Sequence, residues 1–294
     1  MRRKAVGRDL GLNVRMSSAL ALVGAIYLGV FALLALGFVA SVRDSNVGAA
    51  FGFLFFAACV PIILVSHIRE GGRLALRAAR ARVLLRDELP ELQGLVARVA
   101  GQADMPPPNV AIIESSSPNA FAVGTTPSNE IIALTSELVD RLSAEELEAV
   151  VAHEMSHLVN RDGMVMTFVS GPAMVGAFCW HNADWRSKIL VLIGAPVFAL
   201  GYLLMWSISR YREYVADRGS AILTGAPQQL MSALAKIGGE VPSGDLRGGV
   251  AISALCIVSS RPRRRLELFM DHPPLDKRLH RLEDLARELG RPTS

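Results

Sequence analysis

Several protein classes are disfavoured by what the sequence lacks. It has only three cysteines in 294 residues, with no C-x-x-C pair, so a disulfide scaffold is not indicated and packed thiols in a reducing compartment are expected. It has no glycine-rich phosphate loop of the Walker type, so no nucleotide partner is expected. The net charge of +4 is too small to indicate a nucleic-acid-binding protein.

Apolar sequence is abundant by contrast. Hydrophobic residues make up 51% of the chain, and the mean hydropathy is +0.34. Four long runs contain no charged residue: 16–40, 47–66, 163–180 and 189–209. A helix needs about 20 apolar residues to cross a bilayer, so the third run is marginal and the others are long enough. Buried helices of a soluble protein are the alternative, but the length of the runs favours four transmembrane helices.

The basic residues predict an orientation for these helices. Most of them flank the runs on one side: Arg2, Arg3, Lys4, Arg8, Arg15, Arg69, Arg73, Arg77, Arg80, Arg82, Arg210, Arg212 and Arg218. The opposite loops hold fewer, namely Arg43 and the weak counter-signal Arg186 and Lys188. Positive charge marks cytoplasmic flanks, so both termini and both long polar segments are expected in the cytoplasm.

The expected fold class is α+β and mainly helical. Short strands are predicted for "NVAIIES" and "NEIIALT", with "NAFAVG" as a third strand or a loop edge. Helices are predicted for "ELPELQGLVARVAGQADM", "APQQLMSALAKIG" and "DKRLHRLEDLARELG", and a capping box of Ser143 and Glu146 begins another. Five segments follow: a basic cytoplasmic N-terminus at 1–15, membrane helices at 16–66, a polar part at 67–162, membrane helices at 163–209, and a second polar part at 210–294.

The helix that follows the capping box contains the sequence H-E-x-x-H. On a helix, His153 and His157 lie one turn apart on one face and can bind a single Zn²⁺, with Glu154 beside them as general base. The alternative is a helix that holds two histidines and a glutamate by chance. We favour the metal site, because the helix is well capped and these are two of only six histidines in the chain.

A catalytic zinc needs a third protein ligand and an open position. The metzincin continuation fails, because Asn160 and Gly163 stand where it requires glycine and histidine. The segment "SRYREYVAD" offers Glu213 as the third ligand and Asp217 as the acceptor of a ligating histidine's free N–H. The apolar hairpin before it would return the chain to the side where it left. The alternative is a solvated helix face paired with Arg210 and Arg212.

Four motifs together resemble the HtpX group of membrane-embedded zinc endopeptidases, which is related to the CAAX prenyl protease: "HEMSH", "SRYREYVAD", "NAFAVG" and "DHPPLDKR". The resemblance covers nearly the whole chain. It implies a cytoplasm-facing, gluzincin-type protease domain with one zinc per chain, in a multi-pass protein of the bacterial inner membrane. It also implies unfolded or misfolded membrane proteins as substrates.

The resemblance extends to two further groups of residues. It implies that Asn119, Ala120 and Phe121 form an edge strand that pairs with the substrate backbone, whereas the alternative is an ordinary turn. It implies that His272 and Arg278 lie over the zinc and stabilise the oxyanion, whereas the alternatives are a capping histidine and a surface arginine.

Two other functions compete with proteolysis. A metal-binding membrane scaffold or pseudoprotease would not need the intact Glu154. A small transporter would need charged or polar groups at the centre of the spans, and the four apolar runs contain no charged residue. Both alternatives are therefore disfavoured by the sequence.

Overall fold

The structure is a computed structural model that describes residues 10–45, 47–181, 188–238 and 273–290. The chain divides into two compact units. A mixed unit contains Gly72–Gly163 and the described residues from Ser209 onward, and a helical unit contains Val14–Gly71 and Met164–Ile208.

Helices dominate the described residues, and one small sheet accompanies them, so the mainly helical α+β class is confirmed. The helices are α1 (Leu10–Arg43), α2 (Val47–Ala78), α3 (Pro90–Gln102), α4 (Ser136–Arg141), α5 (Ala144–Val159), α6 (Asp162–His181), α7 (Lys188–Thr224), α8 (Pro227–Gly238) and α9 (Leu275–Glu288). The strands are β1 (Arg82–Val83), β2 (Asn109–Ile113), β3 (Ala120–Val123) and β4 (Ile131–Thr135).

Each of the four apolar runs lies inside one long helix, namely α1, α2, α6 or α7. In the helical unit, Val23, Val169 and Ile208 are fully buried in one apolar cluster. A side chain at Gly201 would lie 2.6 Å from the backbone nitrogen of Ala173, so glycine permits this close helix contact. None of the described helices combines the length and apolar character that crossing a bilayer requires, so the four predicted spans are not confirmed.

The sheet of the mixed unit has the strand order β1-β2-β4-β3. Strands β2 and β4 are parallel, and the outer pairs β1–β2 and β3–β4 are antiparallel. The segment "NAFAVG" therefore contains a strand, and this strand lies at an edge of the sheet that the described residues form. Gly124 ends it at φ +130°, where an added side chain would lie 2.5 Å from the Cα of Glu130.

Successive residues of each strand point to opposite faces of the sheet, and each face packs in its own hydrophobic core. One face packs on α3, α5, α8 and α9, and the other, which includes Phe121, packs on Ala75 and Ala79 at the end of α2. Helix α5 begins with the predicted capping box, in which Ser143 and Glu146 satisfy each other's backbone N–H groups. The same Glu146 accepts hydrogen bonds from Ser232 and Lys236 of α8, which fixes the start of α5.

Candidate active site

The three residues of the H-E-x-x-H motif lie on a buried face of α5. The rings of His153 and His157 are perpendicular, with centroids 4.9 Å apart. Potential ligand atoms of His153, Glu154 and His157 all lie within 4.8 Å of one another. The helical spacing of four residues therefore produces the convergence that the sequence predicts.

Helix α7 brings a carboxylate to this pair of imidazoles. The two oxygens of Glu213 face one ring each: Oε2 lies 3.6 Å from Nε2 of His153, and Oε1 lies 3.6 Å from Nε2 of His157. Glu213 and Asp217 are only 4% and 3% exposed. The alternative of a solvated helix face is therefore wrong for both residues.

Asp217 lies behind His153, on the opposite side of the ring from Glu213. Its Oδ1 is 3.1 Å from Nδ1 of His153. Arg278 of α9 donates two hydrogen bonds to the same carboxylate, from Nε at 2.9 Å and from Nη2 at 2.5 Å. We call His153, Asp217 and Arg278 the His153 line.

His157 has a corresponding arrangement that the sequence interpretation missed. Its Nδ1 lies 2.5 Å from Oδ2 of Asp162, and Nε of Arg212 lies 3.0 Å from the same oxygen. We call His157, Asp162 and Arg212 the His157 line. The sequence contained a hint of this arrangement, because Asp162 follows the motif by five residues and Arg212 directly precedes Glu213.

The donor set fits a zinc ion. Zinc bonds of about 2.0–2.1 Å in a tetrahedral arrangement place ligand atoms about 3.4 Å apart, close to the 3.6 Å that separates Glu213 from each Nε2. Both Nδ1 atoms face carboxylates, which leaves both Nε2 atoms for the metal. Neither ring nitrogen of the buried His153 forms a hydrogen bond among the described residues, and Nε2 is the one that faces Glu213.

Burial and buried charges shift the pKa values of the site. Burial lowers the pKa of His153, but its contacts with Asp217 and Glu213 outweigh burial and raise this pKa to about 9. Burial raises the pKa of Glu154 above its usual range. Burial also opposes ionisation of the two aspartates, yet Arg278 and His153 lower the pKa of Asp217, and Arg212 and His157 lower that of Asp162.

Strand β3 presents part of its backbone away from the sheet. Asn119 forms two hydrogen bonds with Thr135: the Thr135 amide donates to the Asn119 carbonyl, and the Thr135 side-chain hydroxyl accepts from the Asn119 amide. By alternation, Phe121 also faces β4, whereas Ala120 and Ala122 direct their backbone groups outward. The side chain of Asn119 accepts a hydrogen bond from the outward amide of Ala120. The outward carbonyl of Ala120 and both backbone groups of Ala122 thus form the outer edge.

Six of the predicted site residues lie together, namely His153, Glu154, His157, Glu213, Asp217 and Arg278, whereas Asn119, Ala120 and Phe121 lie in β3 or directly before it. His272 lies outside the described residues, so its expected role stays a prediction. Arg278 is 2% exposed, so the alternative of a surface arginine is wrong; Nη1 also lies 3.5 Å from Oε2 of Glu213. Its direct partners are thus the carboxylates of Asp217 and Glu213.

Comparison with known proteins identifies the family. The model of peptidase family M48 matches residues 87–286. The chain belongs to peptidase family M48. This M48 chain is therefore a metalloprotease, and its resemblance to the HtpX group is confirmed by curated relatives that carry this name.

Two of these relatives align with almost the whole M48 chain. The Protease HtpX homolog of Moorella thermoacetica is 39% identical, over 98% of this chain and 98% of the relative. The Protease HtpX homolog 1 of Streptomyces coelicolor is 36% identical, over 96% of this chain and 95% of the relative. Among solved structures, a crystal structure of S. mikatae Ste24p aligns with a TM-score of 0.48 and 20% identity, over 93% of this chain and 66% of that one.

Proposed function

We propose that the chain is a zinc-dependent endopeptidase whose single zinc ion is bound by His153, His157 and Glu213. One observation carries this proposal: two Nε2 atoms and a glutamate carboxylate from a different helix converge at 3.6 Å. Three protein ligands leave one position of a tetrahedral zinc open, as catalysis requires.

Glu154 is the general base in this proposal. Bound zinc supplies Lewis acidity, which polarises a peptide carbonyl and makes water more acidic. Glu154 is 2% exposed, and burial raises its pKa, so the carboxylate accepts a proton from water more readily than an exposed glutamate would. The same carboxyl group then returns the proton to the leaving amine. His272 and Arg278 remain the proposed oxyanion donors.

An extended substrate would pair with the outer edge of β3. Ala122 offers an N–H and a C=O that can exchange two hydrogen bonds with one substrate residue, and Ala120 adds its carbonyl. The Ala120 amide already donates a hydrogen bond to the Asn119 side chain, so it is not available to a substrate and the pairing edge ends there. Phe121 is 1% exposed and supports the strand from the core. Because main-chain hydrogen bonds depend little on the substrate's side chains, this pairing would accept unfolded substrates of many sequences.

The proposed setting is the bacterial inner membrane. The four apolar runs and the distribution of basic residues support a multi-pass protein with its active site and both termini in the cytoplasm. The proposed substrates are misfolded or damaged membrane proteins, and the proposed role is quality control. Extraction of cell membranes with alkaline carbonate tests the setting, since an embedded protein stays in the membrane pellet.

The activity is tested on the full-length protein in detergent, with casein as an unfolded substrate. We expect one zinc per chain and cleavage that a chelator abolishes and added zinc restores. Glu154→Gln should retain zinc and lose activity by about 10²–10⁴-fold. Glu213→Ala should lose zinc and activity together. Cleavage that persists in Glu154→Gln, or in metal-free protein, would refute the proposed mechanism.

A further inference from the structure

Asp162 has a buried position that the catalytic steps do not use. It is 4% exposed and begins α6, directly after a turn in which Arg161 adopts φ +55°. This turn follows α5 directly, and Asp162 at its end contacts His157. The carboxylate therefore contacts a proposed ligand from the side opposite Glu213.

We propose that Asp162, held by Arg212, is a positioning residue that keeps the proton of His157 on Nδ1 and leaves Nε2 to bind zinc. This inference rests on the proposed zinc site. One oxygen, Oδ2, contacts both Nδ1 of His157 and Nε of Arg212. The contact with Arg212 is an ion pair, and beside the always charged guanidinium Asp162 stays a carboxylate, which can only accept a hydrogen bond from Nδ1 of His157.

Helix α7 connects this positioning to the third ligand. Arg212 and Glu213 are consecutive, yet the first contacts Asp162 and the second contacts Nε2 of His157. One turn of α7 therefore contacts His157 directly through Glu213 at Nε2, and indirectly through Arg212 and Asp162 at Nδ1. Arg212 is 6% exposed, so solvent screens its interaction with Asp162 only weakly.

A purely structural role for Asp162 is the competing explanation. A carboxylate in the first turn of a helix stabilises that helix by its charge, and Asp162 lies in the first turn of α6. Such a role would change the stability of the metal-free protein and leave zinc affinity unchanged. Zinc affinity and stability therefore have to be measured separately.

The test compares three variants of the full-length protein in detergent. Asp162→Asn keeps the side-chain size and removes the charge, Arg212→Gln removes the support, and Asp140→Asn makes the same chemical change at an exposed carboxylate. Zinc affinity is measured by competition with a chelator of known affinity, and thermal unfolding of the metal-free protein reports the fold. We expect zinc affinity to fall about 10–100-fold in Asp162→Asn. A smaller fall is expected in Arg212→Gln and none in Asp140→Asn.

A second measurement does not depend on whether a variant folds. Nitrogen-15 spectra of histidine-labelled wild-type protein with bound zinc should show the His157 proton on Nδ1, with zinc at Nε2. Wild-type affinity in both Asp162→Asn and Arg212→Gln, or coordination of His157 through Nδ1, would overturn the inference. A wild-type protein that binds no zinc and cleaves nothing would instead refute the proposed function.

Discussion

Each of the two histidines of the proposed zinc site is supported by an aspartate and an arginine, and the two supports differ in burial and in construction. The His153 line joins α5, α7 and α9: His153 is 1% exposed, and Arg278 forms two hydrogen bonds with Asp217. The His157 line joins α5 and α7 through the first residue of α6: the side chain of His157 is 11% exposed, and Arg212 approaches Asp162 through one nitrogen. The same His–Asp–Arg chemistry is thus built once from three separate helices and once with an aspartate that the turn directly after α5 supplies.

This difference separates stability from metal affinity. Breaking the His153 line should remove more support, because its arginine forms two hydrogen bonds with Asp217 and also contacts Glu213. Breaking the His157 line should leave most of the core intact and disturb mainly the ligand. The following predictions test this distinction, beginning with the largest expected effect.

Loss of the arginine should be more damaging in the His153 line. Arg278→Met leaves the buried carboxylate of Asp217 without its bidentate partner, so the free energy of unfolding should fall by about 3–5 kcal/mol. Arg212→Met removes one contact from Asp162, so we expect about 1–3 kcal/mol. Denaturant unfolding of the metal-free protein, followed by circular dichroism, measures both. Equal losses would show that the two lines contribute equally to the fold.

The two lines should also differ in the pH dependence of the metal-free protein. The pKa of His153 is raised from 6.5 to about 9, so its contribution to stability is fully present below pH 6.5 and is lost as the pH rises through 9. The loss should be at most about 3 kcal/mol. The groups that set this pKa are Asp217, Glu213 and Arg278, so Asp217→Asn should flatten the profile between pH 6.5 and 9.

Asp162→Asn is the matched control in that pH experiment, and it should keep the alkaline loss of stability. Thermal unfolding midpoints in chelator at several pH values measure both profiles. The aspartates should act in the acid range: their pKa values are lowered, so their contributions are present above about pH 3.9 and disappear as the pH falls further. If Asp217→Asn leaves the loss of stability between pH 6.5 and 9 unchanged, the two lines do not differ in their pH dependence.

Local patterns predicted much of the fold and part of the site. The four-residue spacings of His153 and His157 and of Glu213 and Asp217 place each pair on one helix face, and this needs only helix geometry. The capping box predicted the start of α5 for the same reason. The two-residue strand β1 is too short to show a period, and the four membrane spans are not confirmed by the described helices.

The arginines could not be assigned in the same way. Arg212 contacts Asp162 only because α7 docks beside a turn, and that turn uses a left-handed arginine, which carries no glycine or asparagine signal. The resemblance assigned Arg278 to the oxyanion, whereas its contacts with Asp217 and Glu213 depend on how α9 packs. Long-range packing decides both partners, and no short motif encodes it.

The smallest expected effect concerns the turn that builds only the His157 line. Arg161 is exposed at φ +55°, a conformation that asparagine tolerates well, so Arg161→Asn should change the free energy of unfolding by no more than about 0.5 kcal/mol. Arg161→Val should cost about 1 kcal/mol or more and displace Asp162, which should weaken zinc binding.

The matched control for Arg161→Val is Arg80→Val, because Arg80 is also exposed and adopts φ +52° in a turn outside both lines. It should show a similar loss of stability with unchanged zinc affinity, measured by the same chelator competition. If Arg161→Val binds zinc as tightly as Arg80→Val, the local turn does not position His157. The His157 line would then depend on helix docking, as the His153 line does.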